Sequence, residues 1–379
     1  EESQEQDIFT ALTGTYSDSE RKMPDGIVNR VMLQKGMNSH TIGMLLDLVG
    51  VGIQGAGKNL TGNLEDMALR DMRVYANDVR HGINIEQYGL YAHRNSAYDM
   101  AEKANHLLGR WLKARRGKHF RQAALERISD NLEQAPTSLT SGYNANILIK
   151  NITDAQQPAY NSTLATYTSN ILTALDNAGT ATAAQLDADF WSTLEYYVTT
   201  QWRLEPLENG TYIVTVPARS AVYLKQISNT DGLLGLARTA FVEELSRKTF
   251  QQVLFQIGKF VIVVDDRAPI MVYNTSASTI TPYYRDVGNT DDRSSYSQGG
   301  ANRVFDVGFV LGRAAITEAI AMRPRYDDDF TDLNRLRDIG MSTTYGMRVT
   351  EFDATTATSS TIRAQNCGVF MGYAGTLTA

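Results

Sequence analysis

The stretch from Tyr88 to Ile128 constrains the fold most, because it is the longest run with one sustained hydrophobic period. Ala97, Met100, Ala101, Ala104, Leu107, Leu108, Trp111 and Leu112 recur every three or four residues. That spacing lines them along one face of an α-helix. Asp99, Glu102, Lys103, Arg110 and Lys113 fill the other face. Ser96 is a candidate N-cap, Arg115 and Arg116 suit the negative end of the helix dipole, and Gly117 is a natural stop. The spacing therefore predicts a helix from Ser96 to Arg116, about 30 Å long. A second helical piece, Phe120 to Ile128, is expected to turn off it. A stripe this long has to be covered from elsewhere in the chain, which makes the helix a spine.

The segments before the spine read as poorly self-covered. Residues 1–26 carry little period and end in Lys22-Met23-Pro24-Asp25-Gly26, an extended arm closing in a turn. Within residues 27–83, Ile42, Met44, Leu46 and Leu48 alternate with Gly43, Leu45, Asp47 and Val49. Gly50, Gly52, Gly55, Gly57 and Gly62 follow, and Met72, Val74 and Ala76 alternate later. Two strand-like arms around a glycine-rich centre predict a long β-excursion. A two-stranded ribbon is marginal in water, so a partner that covers it is expected.

After the spine, Glu133 to Thr163 reads as loop, and Asn161 to Ala178, Ala183 to Trp202 and Leu233 to Gln252 read as helical. Tyr212 to Pro217, Phe260 to Val264, Ile270 to Tyr273 and Val304 to Leu311 read as strands, and Ser276 to Asn302 as a surface loop. Arg313 to Met322 is expected to be a helix stopped by Pro324. Met341 to Glu351 and Thr361 to Tyr373 are expected to form a hairpin. Strands and helices mix without a regular βαβ alternation, so the fold class is α+β.

At 379 residues the chain suggests roughly two domains. Composition, 42% hydrophobic and 21% charged, is that of a globular protein without a run long enough to span a membrane. The opening EESQEQD is acidic and polar and is not read as a secretory signal. The single cysteine, Cys367, excludes an internal disulfide and suggests a reducing compartment. A net charge of −6 means that any nucleic-acid contact would be local.

The sharpest chemical motif is Gly52-Ile53-Gln54-Gly55-Ala56-Gly57-Lys58-Asn59. It fits a phosphate-binding loop except at its last position, where Asn59 stands in place of the hydroxyl that would bind magnesium. Val261 to Asp266 supplies an apolar strand ending in acids, so a P-loop nucleotide hydrolase using Lys58 and Asp265 is the rival reading. Gly62 and a polar segment occupy the place of the required helix, so a glycine-rich turn is favoured, with no cofactor expected. His40, His81, His93, His106 and His119 lack metal-ligand spacing. Asp327, Asp328, Asp329 and Asp332 lack calcium-loop spacing and read as a solvated loop. The basic run Arg110, Lys113, Arg115, Arg116, Lys118 and Arg121 could meet phosphates or an acidic patch on a neighbour.

Several stretches, in order, resemble a phage protein family: Gly55 to Asp66, Tyr88 to Leu112, "YIVTVPARSAVYL" at 212–224, "RVFDVGFVLGRAA" at 303–315, and the closing "NCGVFMGYAGTLTA". The family is the major capsid protein of podovirus-type tailed bacteriophages, with the Hong Kong 97-type (HK97-like) shell fold. The resemblance implies a structural protein, not an enzyme, that self-assembles into pentamers and hexamers of an icosahedral head around double-stranded DNA. It implies an N-terminal arm (1–26), an extended loop (27–83) lying over an adjacent subunit, and a peripheral domain with the spine helix (84–135). An axial domain (136–300) and a return to the peripheral sheet (301–379) would follow. Ile42, Met44, Leu46, Leu48, Gly55, Gly57 and Lys58 would then lie in an inter-subunit contact. Arg110 to Arg121 would be candidates for contact with DNA or a neighbour. Implied partners are the chain itself, packaged DNA bound without sequence reading, a portal, and scaffolding or cement proteins. The implied location is the virion, after assembly in the host cytoplasm, with no membrane partner.

Overall fold

The computed structural model describes residues 13–15, 26–45, 69–84, 100–125, 147–149, 188–207, 209–218, 220–221, 253–274, 276, 279–284, 302–331, 336–352, 364–365 and 367–372. Two sheets and a helix wedged between them make up its body. The first sheet has five strands in the order β1 (Thr13–Thr15), β2 (Val28–Met32), β13 (Ile316–Thr331), β14 (Leu336–Val349) and β5 (Asn77–Asn84). The second has eight. Its main path runs β11 (Thr279–Tyr283), β10 (Ile270–Asn274), β12 (Asn302–Leu311), β7 (Tyr212–Pro217), β9 (Phe260–Asp265) and β8 (Val253–Ile257). Off that path, β17 (Cys367–Gly372) pairs with β12 and with β6 (Ile147–Ile149).

The helix α1 runs from Met100 to Leu125 without a break. Its stop at Gly117 is corrected, and the second piece from Phe120 is the same helix. A helical glycine costs about 1 kcal/mol. Burial of Phe120, Ala123, Ala124 and Leu125, each at most 1% exposed, outweighs that cost. These side chains join Ile27, Ile316, Tyr345 and Met347 of the first sheet and Ile213, Val261, Phe309 and Val369 of the second in one continuous core. Leu107, expected on the apolar face, is 54% exposed.

The second sheet is buried on both faces. Ile213, Val261 and Val263 point to the α1 side, while Tyr212, Val214, Phe260 and Ile262 point to the other. There they meet α2 (Ala188–Tyr196) and the π-helical turn Tyr197–Gln201 that extends it. Trp191 stacks edge-on to Phe370, with Phe190 and Phe260 around it. This double burial is why β7 and β9 read as nearly continuous apolar runs, and they pair parallel at the sheet centre.

Two C-terminal expectations are overturned. Arg313 to Met322 is not a helix: Ile316 begins a long strand that continues through Pro324 to Thr331. Register irregularities between Ile320 and Met322 and between Met322 and Arg325 bracket the stretch leading to the proline, which lacks a ladder donor. Asp327, Asp328 and Asp329 are accordingly on a strand and exposed, not in a loop. The expected terminal hairpin holds only beside its connecting segment, where β15 (Glu351–Phe352) pairs with β16 (Ala364–Gln365). Its arms part, Met341 to Val349 into the first sheet and Cys367 to Gly372 into the second. Part of the Ser276 to Asn302 loop is strand β11, and Ile147–Ile149 within the expected loop is a buried strand. The helical expectations for Asn161 to Ala178 and Leu233 to Gln252 lie outside the described residues.

Candidate functional site

Two features stand out from the body: a β-hairpin and the solvent face of α1. The hairpin pairs β3 (Ser39–Leu45) with β4 (Leu69–Tyr75) antiparallel, from Ser39 opposite Tyr75 to Leu45 opposite Leu69. It forms a two-stranded sheet of its own. The strands flanking it, β2 and β5, belong to the five-stranded sheet. Its root is anchored. Met72 and Val74 pack with Leu33 and Ala319 on the sheet face opposite α1. The crossing is so close that a Cβ at Gly346 would stand 1.7 Å from the Tyr75 carbonyl oxygen. Burial holds the His40 imidazole below its usual value, so the folded hairpin favours the neutral ring. Ile42 pairs opposite Met72 and Met44 opposite Arg70, both inside the hairpin. Leu46, Leu48, Gly55, Gly57 and Lys58 lie outside the described residues.

The six basic candidates on α1 divide into two groups. Arg121 is buried, and its exposed role is corrected. Its Nε donates to Asp265 Oδ2 at 2.8 Å, its Nη2 to Asp265 Oδ1 at 2.7 Å, and its Nη1 to the Gly117 carbonyl at 2.9 Å. Both side chains are at most 3% exposed. Asp265 Oδ1 also accepts from the Arg267 backbone N–H at 3.0 Å. A carboxylate buried at 1% exposure and already neutralised by a bidentate guanidinium has a structural partner in place of a magnesium ion. The hydrolase reading needed Asp265 free for a metal, whereas here it is paired with Arg121; Lys58 lies outside the described residues. Arg116 likewise turns inward. With Arg30 of β2 it clamps Glu318, which is fully buried on β13; Arg116 Nε donates to Oε1 at 2.7 Å and Arg30 Nε to Oε2 at 2.9 Å. Arg116 also lies over the Phe120 ring, 5.6 Å from its centroid. Arg115 and Lys118 are half-buried.

Arg110 and Lys113 are exposed, and so are Lys103 and His106. At 100° per residue these four positions fall within about 80° of one another, opposite the buried Leu108 and Leu112. The polar face of the helical pattern already holds Lys103, whereas the histidine spacing alone gives His106 no role. On the other flank of α1, His81 of β5 stacks on Trp111 with ring centroids 4.6 Å apart.

The sheet face turned away from α1 gathers aspartates and arginines at its far end. Ile339, Met341 and Tyr345 point into the core, so Asp338, Gly340 and Ser342 point outward. Their cross-strand partners Asp329, Asp327 and Arg325 share that face. Ser342 donates to Asp327 at 3.0 Å, and Arg325 lies 3.3 Å from the same carboxylate. At the edge, the Thr344 hydroxyl and then the Arg80 guanidinium hold the Asp78 carboxyl below its usual range. Among the described residues no His, Cys, Asp or Glu cluster could hold a metal ion.

No protein-family model and no curated protein matches the sequence. The fold does match solved structures over nearly its whole length. The cyanophage Pam1 capsid aligns with a TM-score of 0.62 at 13% identity, covering 94% of this chain and 91% of that one. The capsid of Ralstonia phage GP4 aligns at 0.60 and 14% identity, covering 94% and 89%. The head of Helicobacter pylori bacteriophage KHP40 aligns at 0.59 and 13% identity, covering 97% and 90%. With its two sheets, wedged spine helix and separate β3–β4 hairpin, the chain has the α+β, Hong Kong 97-type fold of phage capsid proteins.

Proposed function

We propose that this chain is the structural subunit of a phage head, assembling with copies of itself into pentamers and hexamers of an icosahedral shell around double-stranded DNA. The observation that carries the reading is the near-complete alignment with phage capsid structures, 94–97% of the chain. The hairpin supports it. A two-stranded ribbon that shares no ladder with either sheet, and is packed on the first through Met72 and Val74 on β4, is marginal alone and gains stability when a second molecule covers it. Each copy would contribute several modest contacts, and closure would make them collectively strong. In this reading residues 1–26 are the arm and 27–83 the extended loop over a neighbour. Residues 84–135 and 301–379 make the peripheral domain, and 136–300 the axial domain. Ile42, Met44, Leu46, Leu48, Gly55, Gly57 and Lys58 lie in the loop contact. A portal and scaffolding or cement proteins are the expected further partners, and the protein works in the virion after assembly in the host cytoplasm. The role is architectural, and no catalytic step is assigned.

Expression of the full chain should give uniform hollow particles or capsomer rings under negative-stain electron microscopy. Leu45 and Leu69 face each other in register, so an Asn-Gly turn joining them should close the shortened hairpin. That truncation should stay soluble and form no shells. Particles of normal size from the truncated chain would refute the loop's part in assembly, and full-length protein that never assembles would refute the capsid reading itself.

A further inference from the structure

We infer that the solvent face of α1, carrying Lys103, His106, Arg110 and Lys113, is the surface this subunit presents to the phosphates of duplex DNA. The inference rests on the capsid reading and sharpens it, because the sequence leaves six basic residues and two kinds of partner open. The fold removes the inward ones. Arg116 and Arg121 are committed to Glu318 and Asp265, and Arg115 and Lys118 are half-buried.

What is left is a stripe of four. Lys103, His106, Arg110 and Lys113 are exposed and make no hydrogen bond or ion pair among the described residues. The run Lys103 to Lys113 contains no Asp or Glu, and Glu102 borders it at the N-terminal end. It extends over about 15 Å of helix, a length along which a duplex presents roughly nine charges. The layer behind it is of mixed charge: the far face of the five-stranded sheet carries Asp327, Asp329 and Asp338 beside Arg325 and Arg80, with Arg325 paired to Asp327. A chain of net charge −6 is repelled by DNA as a whole. It can approach a duplex favourably only with its basic side foremost. The stripe on α1 is such a side, while the opposite face of the sheet mixes aspartates with Arg325 and Arg80 and offers no comparable run of cations among the described residues. Lysine and arginine at helical spacing with no base-reading aromatic among them suit phosphate contact without sequence preference. One exposed leucine beside the stripe, Leu107, is of a size common on any surface.

The test is binding of the unassembled full chain to a fluorescent random-sequence duplex, followed by anisotropy over a salt series. The wild type should bind with a log–log salt slope that Arg110→Gln/Lys113→Gln lowers by about 1.8, at roughly 0.9 per cation. Lys35 and Lys259, both exposed and away from α1, give the charge-matched control. Lys35→Gln/Lys259→Gln should leave the slope unchanged. Circular dichroism melts should match across all three proteins. Absence of salt-dependent binding by the wild type would overturn the inference. So would equal slopes in the two double variants, which would mean a diffuse field and not a site. If Arg110→Gln/Lys113→Gln keeps its slope but no longer assembles, the stripe meets a neighbouring copy instead and the inference is again wrong. Wild-type protein that binds duplex yet never forms particles would separate the fate of this inference from that of the capsid reading.

Discussion

At the scale of single residues, the ion pair of Arg121 with Asp265 ties the helix to the second sheet. Both groups are withdrawn from water, and the bidentate geometry is what compensates their desolvation. Removing one member strands the other. Arg121→Met should therefore lower unfolding free energy by about 3–5 kcal/mol, read from urea titrations of the unassembled chain. Arg121→Met combined with Asp265→Leu should lose clearly less, since no buried charge is left alone. A cost for Arg121→Met under about 1 kcal/mol would mean that water reaches the pair. This pairing could not be read from the sequence. Arg121 sits among five other basic residues and Asp265 follows a strand that suits a metal-binding acid. Only the packing of residues 144 positions apart decides that each neutralises the other. Glu318 is the same lesson: its two arginines come from β2 and α1, far away in the chain.

Elements were legible where local pattern and final environment agree. The strand Tyr212 to Pro217 and the helix over Met100 to Leu112 were readable because each shows its own period to one core. The strand from Ile316 was not. Its alanines, Ala319 and Ala321, and its Glu318 favour a helix locally. In the fold Ile316 to Ala319 are all fully buried between neighbouring strands, and that burial overrides propensity. Gly117 misled in the same way, because a glycine marks a helix end only when nothing beyond it is worth burying. Gly109 offers a prediction at this scale. A Cβ there would meet the Tyr326 hydroxyl at 3.2 Å, and Tyr326 is itself 49% exposed and bonded only weakly, at 3.2 Å, to the Asn105 carbonyl. The tyrosine can move aside. Gly109→Ala should therefore stabilise the chain by roughly 0.5–1 kcal/mol through helix propensity. A loss of stability in thermal melts would show that Tyr326 is fixed against the helix.

For the whole molecule, the decisive feature is that α1 belongs to both sheets. Its N-terminal half lies on the five-stranded sheet, with Trp111 against His81, and its C-terminal half enters the core that the second sheet shares. A continuous core leaves no boundary along which the sheets can part without exposing Phe120, Ala124 and Leu125. The unassembled chain should thus unfold as one unit, although chains of this length often do not. The three tryptophans are placed to test this, since Trp111 reports on the first layer while Trp191 and Trp202 sit in the aromatic cluster behind the second. A variant keeping only Trp111 and one keeping only Trp191, the others changed to Phe, should each give a fluorescence transition in urea that overlays its own far-ultraviolet transition. Adding Arg121→Met should move both transitions to lower urea. If the Trp191 signal instead separates from the far-ultraviolet curve while the Trp111 signal does not, the helix is bound to one sheet only. The subunit would then be two hinged bodies, and any curvature it imposes on a shell would come from that hinge, not from a rigid wedge.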